Sequence, residues 1–215
     1  PQGVENYELP YLTSDVVAVM DDLGEQSGTL VGHDWGGIIA WSFAEAYPQK
    51  TENLVIFNRP HPRSRKREMA LNNEQKERSA YIARFTNSDG DLGGMDAERR
   101  AGSHRGTVWY ERYLSAYQRS DYEAMLNYYR AYYPKPPWMV DESPIVPLDV
   151  PVLEFHGLDD GAYVNESLND TWESMGRDFT LVTLPGIGHN SQNTGDIQFV
   201  TSMLRSWLEM QKSRQ

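Results

Sequence analysis

The segment that most constrains the fold of this chain is residues 29–37, TLVGHDWGG. A short β-branched run leads to Gly32, an acidic residue follows at Asp34, and two glycines open an apolar stretch. This spacing is typical of a nucleophile elbow, a sharp turn between a buried strand and a helix that exposes one reactive side chain. The segment therefore predicts a mostly parallel α/β sheet with Asp34 as its nucleophile.

A carboxylate at the elbow redirects the chemistry that is usual there. Serine at such a turn attacks esters and forms an acyl-enzyme. A carboxylate instead opens a strained or polarised carbon–heteroatom bond and gives an alkyl-enzyme ester, which water then cleaves at its carbonyl. Asp34 thus indicates an electrophilic substrate such as an epoxide or an alkyl halide.

The hydrophobic pattern predicts alternating strands and helices at both ends of the chain. Strands are predicted at residues 29–33, 53–57, 151–157 and 179–184. The first is a short buried strand, and the runs at 53–57 and 151–157 are typical of parallel strands buried on two faces. Helical patterns occupy residues 11–23, 37–47, 166–175 and 196–210, with Thr13 or Ser14 expected to cap the first. The alternation favours an α/β core.

The pattern changes between residues 60 and 147, where charged and aromatic helical stretches replace the strands. Helices are predicted at residues 68–85, 106–118 and 122–132, and residues 88–94 have the composition of a mobile loop. We therefore predict an α/β core at residues 1–59, an inserted helical cap at 60–147, and the second part of the core at 148–215.

Two further residues complete a catalytic constellation in the order nucleophile, acid, histidine. Asp160 lies three residues after the strand-terminal Gly157, and His189 lies in a glycine-flanked loop before the last helix. Residues after parallel strands gather at one edge of the sheet, so His189 could activate water while Asp160 fixes its tautomer. Asp159 is the weaker candidate for the acid, and Asp34 could alternatively be only a helix cap.

Trp35 is expected to contribute its backbone N–H to an oxyanion site, because it opens the helix after Asp34. Its indole could also line the pocket. The other histidines are interpreted as structural or surface residues: His33, His61, His104 and His156. No metal-ligand spacing is present, so the sequence implies neither a metal nor a cofactor.

Composition narrows the class of protein. The 215 residues carry a formal net charge of −11, which argues against a nucleic-acid or anionic-membrane surface. Cysteine is absent, so no disulfide framework is possible, and no apolar run is long enough to span a membrane. We expect a cytoplasmic location.

Three segments carry a resemblance to a known family: GHDWGG at residues 32–37, NRPHP at 58–62 and LNYYR at 126–130. Over nearly its whole length the chain resembles the epoxide hydrolases of the α/β-hydrolase fold. The resemblance implies that two tyrosines of the cap, Tyr129 and Tyr81, hydrogen-bond the epoxide oxygen. It also implies an epoxide and water as substrates and a role in detoxification, and the many aromatic residues of the cap indicate that the epoxide is apolar. The family's His-Gly-x-Pro oxyanion segment has no counterpart here.

The region before the elbow is short for that fold, which lays down four strands first, about 80 residues at ordinary element lengths. A sheet starting at residue 29 would leave a long apolar edge unpaired, which native proteins avoid. We expect the sequence to be a piece of a longer polypeptide, or another chain to supply the missing amino-terminal half.

Three functions follow from these observations. The leading hypothesis is an epoxide hydrolase that forms a vicinal diol through an ester on Asp34. A haloalkane or haloacid dehalogenase would use the same nucleophile, but a departing halide needs N–H donors rather than the proton donors that paired tyrosines supply. A catalytically incomplete fragment acting as a binding domain is the third.

Overall fold

A computed structural model describes residues 1–86, 96–133, 135–193 and 196–214. The predicted mobile loop at residues 88–94 lies outside the described residues. Within the described ranges, no helix is long and apolar enough to cross a lipid bilayer.

The centre of the fold is a parallel sheet. Its strands are β1 (Gly28–His33), β2 (Thr51–Phe57), β3 (Val152–Gly157) and β4 (Phe179–Leu184). They pair in the order β1-β2-β3-β4, and every pairing is parallel. All four coincide with the predicted strands to within two residues, so the predicted α/β fold class is confirmed.

The helices account for most of the remaining described residues. In chain order they are α1 (Leu9–Leu23), α2 (Trp35–Ala46), α3 (Pro62–Leu71), α4 (Asn73–Arg78), α5 (Ile82–Thr86), α6 (Ala97–Ala101), α7 (Tyr110–Gln118), α8 (Tyr122–Tyr132) and α9 (Ile197–Lys212). Short 3-10 helices lie between them, including Asn165–Leu168 and Thr171–Ser174.

The chain forms two compact units. The sheet unit comprises Leu12–Ser79 and Lys135–Gln215, and the helical unit comprises Pro1–Tyr11 and Ala80–Pro134. These limits differ from the predicted domain limits at residues 60 and 147, because α3, α4 and residues 135–147 fall within the sheet unit and residues 1–11 within the helical unit. The contacts of α3 explain its place in the sheet unit: Ser64 Oγ donates to the Asn169 carbonyl and Arg67 pairs with Asp170.

Both faces of the sheet are covered in the sheet unit. On one face Trp41 of α2 packs against Leu54 of β2 and Val152 of β3. On the other, Phe57 of β2 and Phe155 of β3 lie in one cluster with residues of α9, and their two rings stack with centroids 4.9 Å apart. Burial on two faces is the reason these strands appear as continuous apolar runs in the sequence.

Two predicted helices are wrong at their starts. α1 begins at Leu9, so Thr13 and Ser14 lie inside it rather than at its N-cap; Pro10 suits the first turn, where a helix needs no N–H. The helix predicted from residue 106 begins at Tyr110, after a turn around Gly106 at φ 79°.

Two other predicted helices are interrupted. Residues 166–175 form the two short 3-10 helices rather than one α-helix, and Asp170 between them is in the left-handed region at φ 61°. The helix predicted at 68–85 is divided into α3, α4 and α5. Asn72 causes the first break, because its side chain accepts from the Glu74 and Gln75 amides and caps α4.

Candidate active site

The turn between β1 and α2 holds Asp34 in a backbone conformation that non-glycine residues rarely adopt, with φ 48° and ψ −113°. The turn is so tight that a Cβ on Gly32 would lie 2.4 Å from the Gly36 carbonyl oxygen. The Asp34 carboxylate makes no capping hydrogen bond to α2, which removes the interpretation of Asp34 as a helix cap. A strained turn whose carboxylate does not cap the following helix is typical of a functional position.

His189 lies between two carboxylates. Its Nε2 is 3.4 Å from Asp34 Oδ1, and its Nδ1 is 2.9 Å from Asp160 Oδ2. The side chain of Asp34 is 34% exposed and that of His189 27%, whereas that of Asp160 is fully buried. The structure therefore brings the three predicted residues together, with Asp34 at the solvent side and Asp160 in the interior.

The buried Asp160 carboxylate has three hydrogen-bond donors. Its Oδ2 accepts from His189 Nδ1 and from Asn58 Nδ2 at 2.8 Å, and its Oδ1 accepts from the Ala162 amide at 2.7 Å. Burial acts to raise the pKa of Asp160, but these donors and the His189 charge hold it below the usual range. Asp159 is exposed, and Asp160 is the aspartate of this pair that bonds to His189.

The charges of the three residues stabilise one another. Burial acts to lower the pKa of His189, but its bonds to Asp160 and Asp34 outweigh burial and raise the pKa to about 9. Burial acts to raise the pKa of Asp34, yet His189 and then the buried Arg59 hold it below its ordinary value. At neutral pH both aspartates are therefore ionised and His189 is protonated.

Asn58 is a residue of this site that the sequence analysis did not assign. It follows β2 directly and adopts a left-handed conformation at φ 45°, which asparagine tolerates better than most residues. Its amide nitrogen donates to Asp160, and its Oδ1 accepts from the Ser191 amide at 3.3 Å. Asn58 thus ties the acid to the loop that carries His189; a polar residue ending a buried strand was the available signal.

Helix α4 also fixes the Asp160 loop, through hydrogen bonds to its backbone. Arg78 Nη1 donates to the carbonyl oxygens of Asp160 and Tyr163, each at 2.5 Å. Gln75 Nε2 donates to the Ala162 carbonyl at 2.9 Å, and its Oε1 accepts from the Val164 amide at 3.0 Å. The sequence analysis assigned these residues to a long cap helix, and therefore missed this support.

Two of the other histidines have structural contacts, as predicted. His33 Nε2 is 2.9 Å from the His189 carbonyl oxygen and so holds the backbone of that loop. His61 Nδ1 accepts from the Arg63 amide at the start of α3. In the helical unit, His104 stacks on Tyr113. His156 is fully buried beside Asp160, with 4.0 Å between its Nε2 and Asp160 Oδ2.

The helical unit contains the two tyrosines implied by the resemblance. Tyr81 lies just before α5 and Tyr129 lies on α8. The Phe85 ring packs edge-on against both, with centroids 5.6 Å from Tyr81 and 4.9 Å from Tyr129. One phenylalanine therefore holds together two tyrosines that are 48 residues apart in the sequence. In the sheet unit, Trp35 is the first residue of α2, where the positive end of the helix dipole lies.

Comparison with known proteins agrees with this architecture. A family model described as the alpha/beta hydrolase fold matches residues 1–196. Epoxide hydrolase 1 of Caenorhabditis elegans is 28% identical over 206 residues, which cover 88% of this chain and 50% of that protein. The AB hydrolase superfamily protein YfhM of Bacillus subtilis (strain 168) is 31% identical over 143 residues, 61% of this chain and 50% of that protein. The chain spans about half the length of these two curated relatives.

A solved structure gives the same result for the fold. The crystal structure of Bacillus megaterium epoxide hydrolase in complex with an inhibitor superposes with a TM-score of 0.83 and 26% sequence identity, covering 97% of this chain and 78% of that one. The resemblance to epoxide hydrolases is therefore confirmed in both sequence and structure. With a family model matching most of its length, the chain belongs to the α/β-hydrolase fold family.

Proposed function

We propose that the chain carries the catalytic residues of an epoxide hydrolase that converts an apolar epoxide to a vicinal diol without a cofactor. The observation that carries the proposal is the line Asp34–His189–Asp160, which presents one partly exposed carboxylate at the elbow and backs it with a buried acid. The similarity to epoxide hydrolases supports the substrate class.

In the first step, an Asp34 oxygen attacks an epoxide carbon and the bond from that carbon to the ring oxygen breaks. The product is an alkyl ester on Asp34 and an alkoxide, which takes a proton from Tyr81 or Tyr129. A phenol with an ordinary pKa of about 10 is protonated at neutral pH and can donate as the ring opens. Paired tyrosines therefore suit an epoxide better than a halide.

Ester formation prepares His189 for the second step. Of the two carboxylates that raise the pKa of His189, Asp34 loses its charge when it becomes an ester. The pKa of His189 then falls and His189 releases its proton. This proton replaces the one that the tyrosine gave to the alkoxide. The neutral imidazole becomes a general base for water.

In the second step, His189 takes a proton from water as the hydroxide attacks the ester carbonyl carbon. The backbone N–H of Trp35 would stabilise the resulting oxyanion, aided by the α2 dipole. Collapse of this intermediate breaks the bond between the carbonyl carbon and the substrate oxygen, and the departing alkoxide takes the proton of the newly added hydroxyl group. The diol is released, Asp34 is again a carboxylate, and His189 keeps the proton it took from water, as in the resting state. Asp160 keeps the imidazole oriented throughout. The cytoplasmic location and the role in detoxification stay predictions.

The test is to trap the ester. His189→Asn removes the base but keeps a side chain of similar shape, so mixing the variant with styrene oxide should add one epoxide mass to Asp34, as seen by intact-mass spectrometry and peptide mapping. The variants are made in the protein as its gene encodes it. The double variant Asp34→Asn/His189→Asn is the matched control and should gain no mass.

Other outcomes would contradict the proposal. Absence of any adduct, together with halide release from a panel of haloalkanes by the wild-type protein, would assign a dehalogenase. Absence of both, with tight binding of the epoxide, would indicate a binding domain without turnover.

A further inference from the structure

Strand β3 carries two buried polar side chains that the proposed mechanism does not use. Glu154 and His156 are both 0% exposed. Neither carboxyl oxygen of Glu154 and neither ring nitrogen of His156 forms a hydrogen bond with any residue that the structure describes. Polar groups without such bonds are costly inside a protein, so this pair requires an explanation.

The pair lies directly behind the catalytic acid. Because Glu154 and His156 are two residues apart on a strand, their side chains share one face of the sheet. The His156 ring has Nδ1 at 4.0 Å from Glu154 Oε1 and Nε2 at 4.0 Å from Asp160 Oδ2. Asp160 is bonded to His189, which faces Asp34. A line of five titratable groups thus runs from the interior to the nucleophile.

Both inner groups are uncharged at neutral pH. Burial raises the pKa of Glu154 to about 8, so its carboxyl keeps a proton. Burial lowers the pKa of His156 to about 4, a change that the Asp160 charge opposes and the His189 charge reinforces. No charge from the described residues contributes to the shift of Glu154. The interior end of the line therefore consists of two neutral polar groups.

The other neighbours of the pair are apolar side chains or polar groups that are already hydrogen-bonded elsewhere. In the sheet, Glu154 has Ile56 of β2 on one side and Leu181 of β4 on the other. The nearest aromatic partner of His156 is Tyr163, at 6.5 Å between centroids, and the Tyr163 hydroxyl accepts from the buried Arg59. The polar contacts of His156 are thus limited to Glu154 and Asp160 within the described part of the chain.

A neutral imidazole has one N–H, and its position follows from the two neighbours. Asp160 is a carboxylate and attracts the N–H dipole, which favours the proton on Nε2. Glu154 is a protonated acid and offers an O–H, which favours a bare Nδ1. At 4.0 Å neither contact is a hydrogen bond, but such dipoles interact more strongly in the protein interior than in water. Both neighbours therefore favour the same tautomer of His156.

We propose that Glu154 and His156 are positioning residues that form a neutral relay behind Asp160. The Glu154 O–H fixes the tautomer of His156, and the His156 Nε2–H stabilises the negative charge of Asp160. A stabilised Asp160 carboxylate attracts the His189 proton less, so the relay limits the proton affinity of His189. The inference rests on the proposed hydrolase function, because the relay matters only if His189 acts as a base.

A matched pair of variants at position 156 tests the relay. His156→Gln keeps an N–H donor close to the Nε2 position, whereas His156→Leu fills a similar volume without one. The readout is the pKa of His189, followed by NMR titration of histidine resonances and assigned with His189→Asn. The leucine variant should raise this pKa by about 0.5 to 1, the worth of one weak donor to Asp160, and the glutamine variant should leave it within about 0.2 of wild type.

A second measurement needs no variant and covers the case in which His156→Leu does not fold. The ¹⁵N chemical shifts of His156 in the wild-type protein at pH 7 should report a neutral ring with its proton on Nε2. A proton on Nδ1, or a doubly protonated ring, would overturn the relay. So would equal pKa values of His189 in folded His156→Leu and His156→Gln.

Failure of the relay and failure of the proposed function are distinguishable. The titration of His189 needs no substrate, whereas the function is read from diol formation. If the titration behaves as expected but the wild-type protein makes no diol from styrene oxide, the relay stands and the hydrolase assignment is wrong. If diol forms and His156→Leu leaves the pKa of His189 unchanged, the hydrolase stands and the relay is wrong. If the relay and the hydrolase function are both correct, the pH at which kcat falls on the acid side of its pH profile should be higher in His156→Leu than in wild type, with KM unchanged.

Discussion

The sheet unit and the helical unit hold their candidate residues in different ways. In the sheet unit, Asp160 is fixed by three hydrogen bonds in the protein interior, and Asp34 by a strained turn between strand and helix. In the helical unit, Tyr81 and Tyr129 meet through ring contacts with Phe85. Under the proposed mechanism, ester hydrolysis would therefore depend on a stiff polar network, whereas ring opening would depend on packed aromatic side chains.

The largest effect on diol formation is expected from replacing Asp34, the proposed nucleophile in the sheet unit. Asp34→Asn keeps the shape of the side chain but removes the attacking charge, so diol formation from styrene oxide should fall by at least about 10⁴-fold. The measurement is product formation under saturating substrate, with circular dichroism to verify the fold. Diol formation at a rate close to wild type would exclude Asp34 as the nucleophile.

Removal of both phenols in the helical unit should affect only the first chemical step. Tyr81→Phe/Tyr129→Phe is expected to slow ester formation by about 10² to 10⁴-fold, the usual worth of general acid catalysis, and to leave ester hydrolysis within about twofold. Rapid-quench kinetics with mass detection of the ester separates the two rates. Tyr133→Phe, which removes the hydroxyl from a ring stacked on Tyr129, is the control and should change neither. Equal slowing of both steps would contradict the assignment of ring opening to the tyrosines and of ester hydrolysis to the residues of the sheet unit.

A smaller effect is expected at Asn58, which combines a positive φ with a bond to Asp160. Asn58→Gly and Asn58→Ala both remove the amide donor, so each should slow ester hydrolysis by about tenfold, the worth of one hydrogen bond to a charged group. Only alanine adds left-handed strain, and it should lower the free energy of unfolding by about 1 kcal/mol more than glycine. Denaturant unfolding measures the difference, and equal stabilities would contradict the backbone argument.

The last prediction concerns the pH dependence of stability at Glu154. The pKa of this acid is about 8 in the folded protein against an ordinary value of 4.5, so the folded state holds an extra proton between these values. Wild-type stability should therefore fall as pH rises from 4.5 toward 8, a loss that Glu154→Gln avoids. The Tm of the variant relative to wild type should rise by roughly 7 °C or more between pH 5 and pH 8. A constant difference across this range would show that Glu154 does not keep its proton.

The sequence predicts the sheet unit well where local pattern and global structure coincide. Continuous apolar runs identify β2 and β3, the strands that are buried on both faces, and the glycines around Asp34 identify the turn. Features that depend on tertiary contacts were not predictable. Asn72 caps α4 only because the chain turns there to place Gln75 and Arg78 against the Asp160 loop. Likewise, residue types alone do not show that Glu154 and His156 share a buried face behind the acid.

The most direct test of the central claim, that Asp34 attacks the epoxide, is a single turnover in H₂¹⁸O with enzyme in excess over styrene oxide. If Asp34 is the nucleophile, its own oxygen enters the diol, because water attacks the ester carbonyl rather than the substrate carbon. The first diol should then contain only ¹⁶O, and peptide mapping should find ¹⁸O in the Asp34 carboxylate. If ¹⁸O appears in the diol and Asp34 stays unlabelled, water attacks the epoxide directly and the account is wrong.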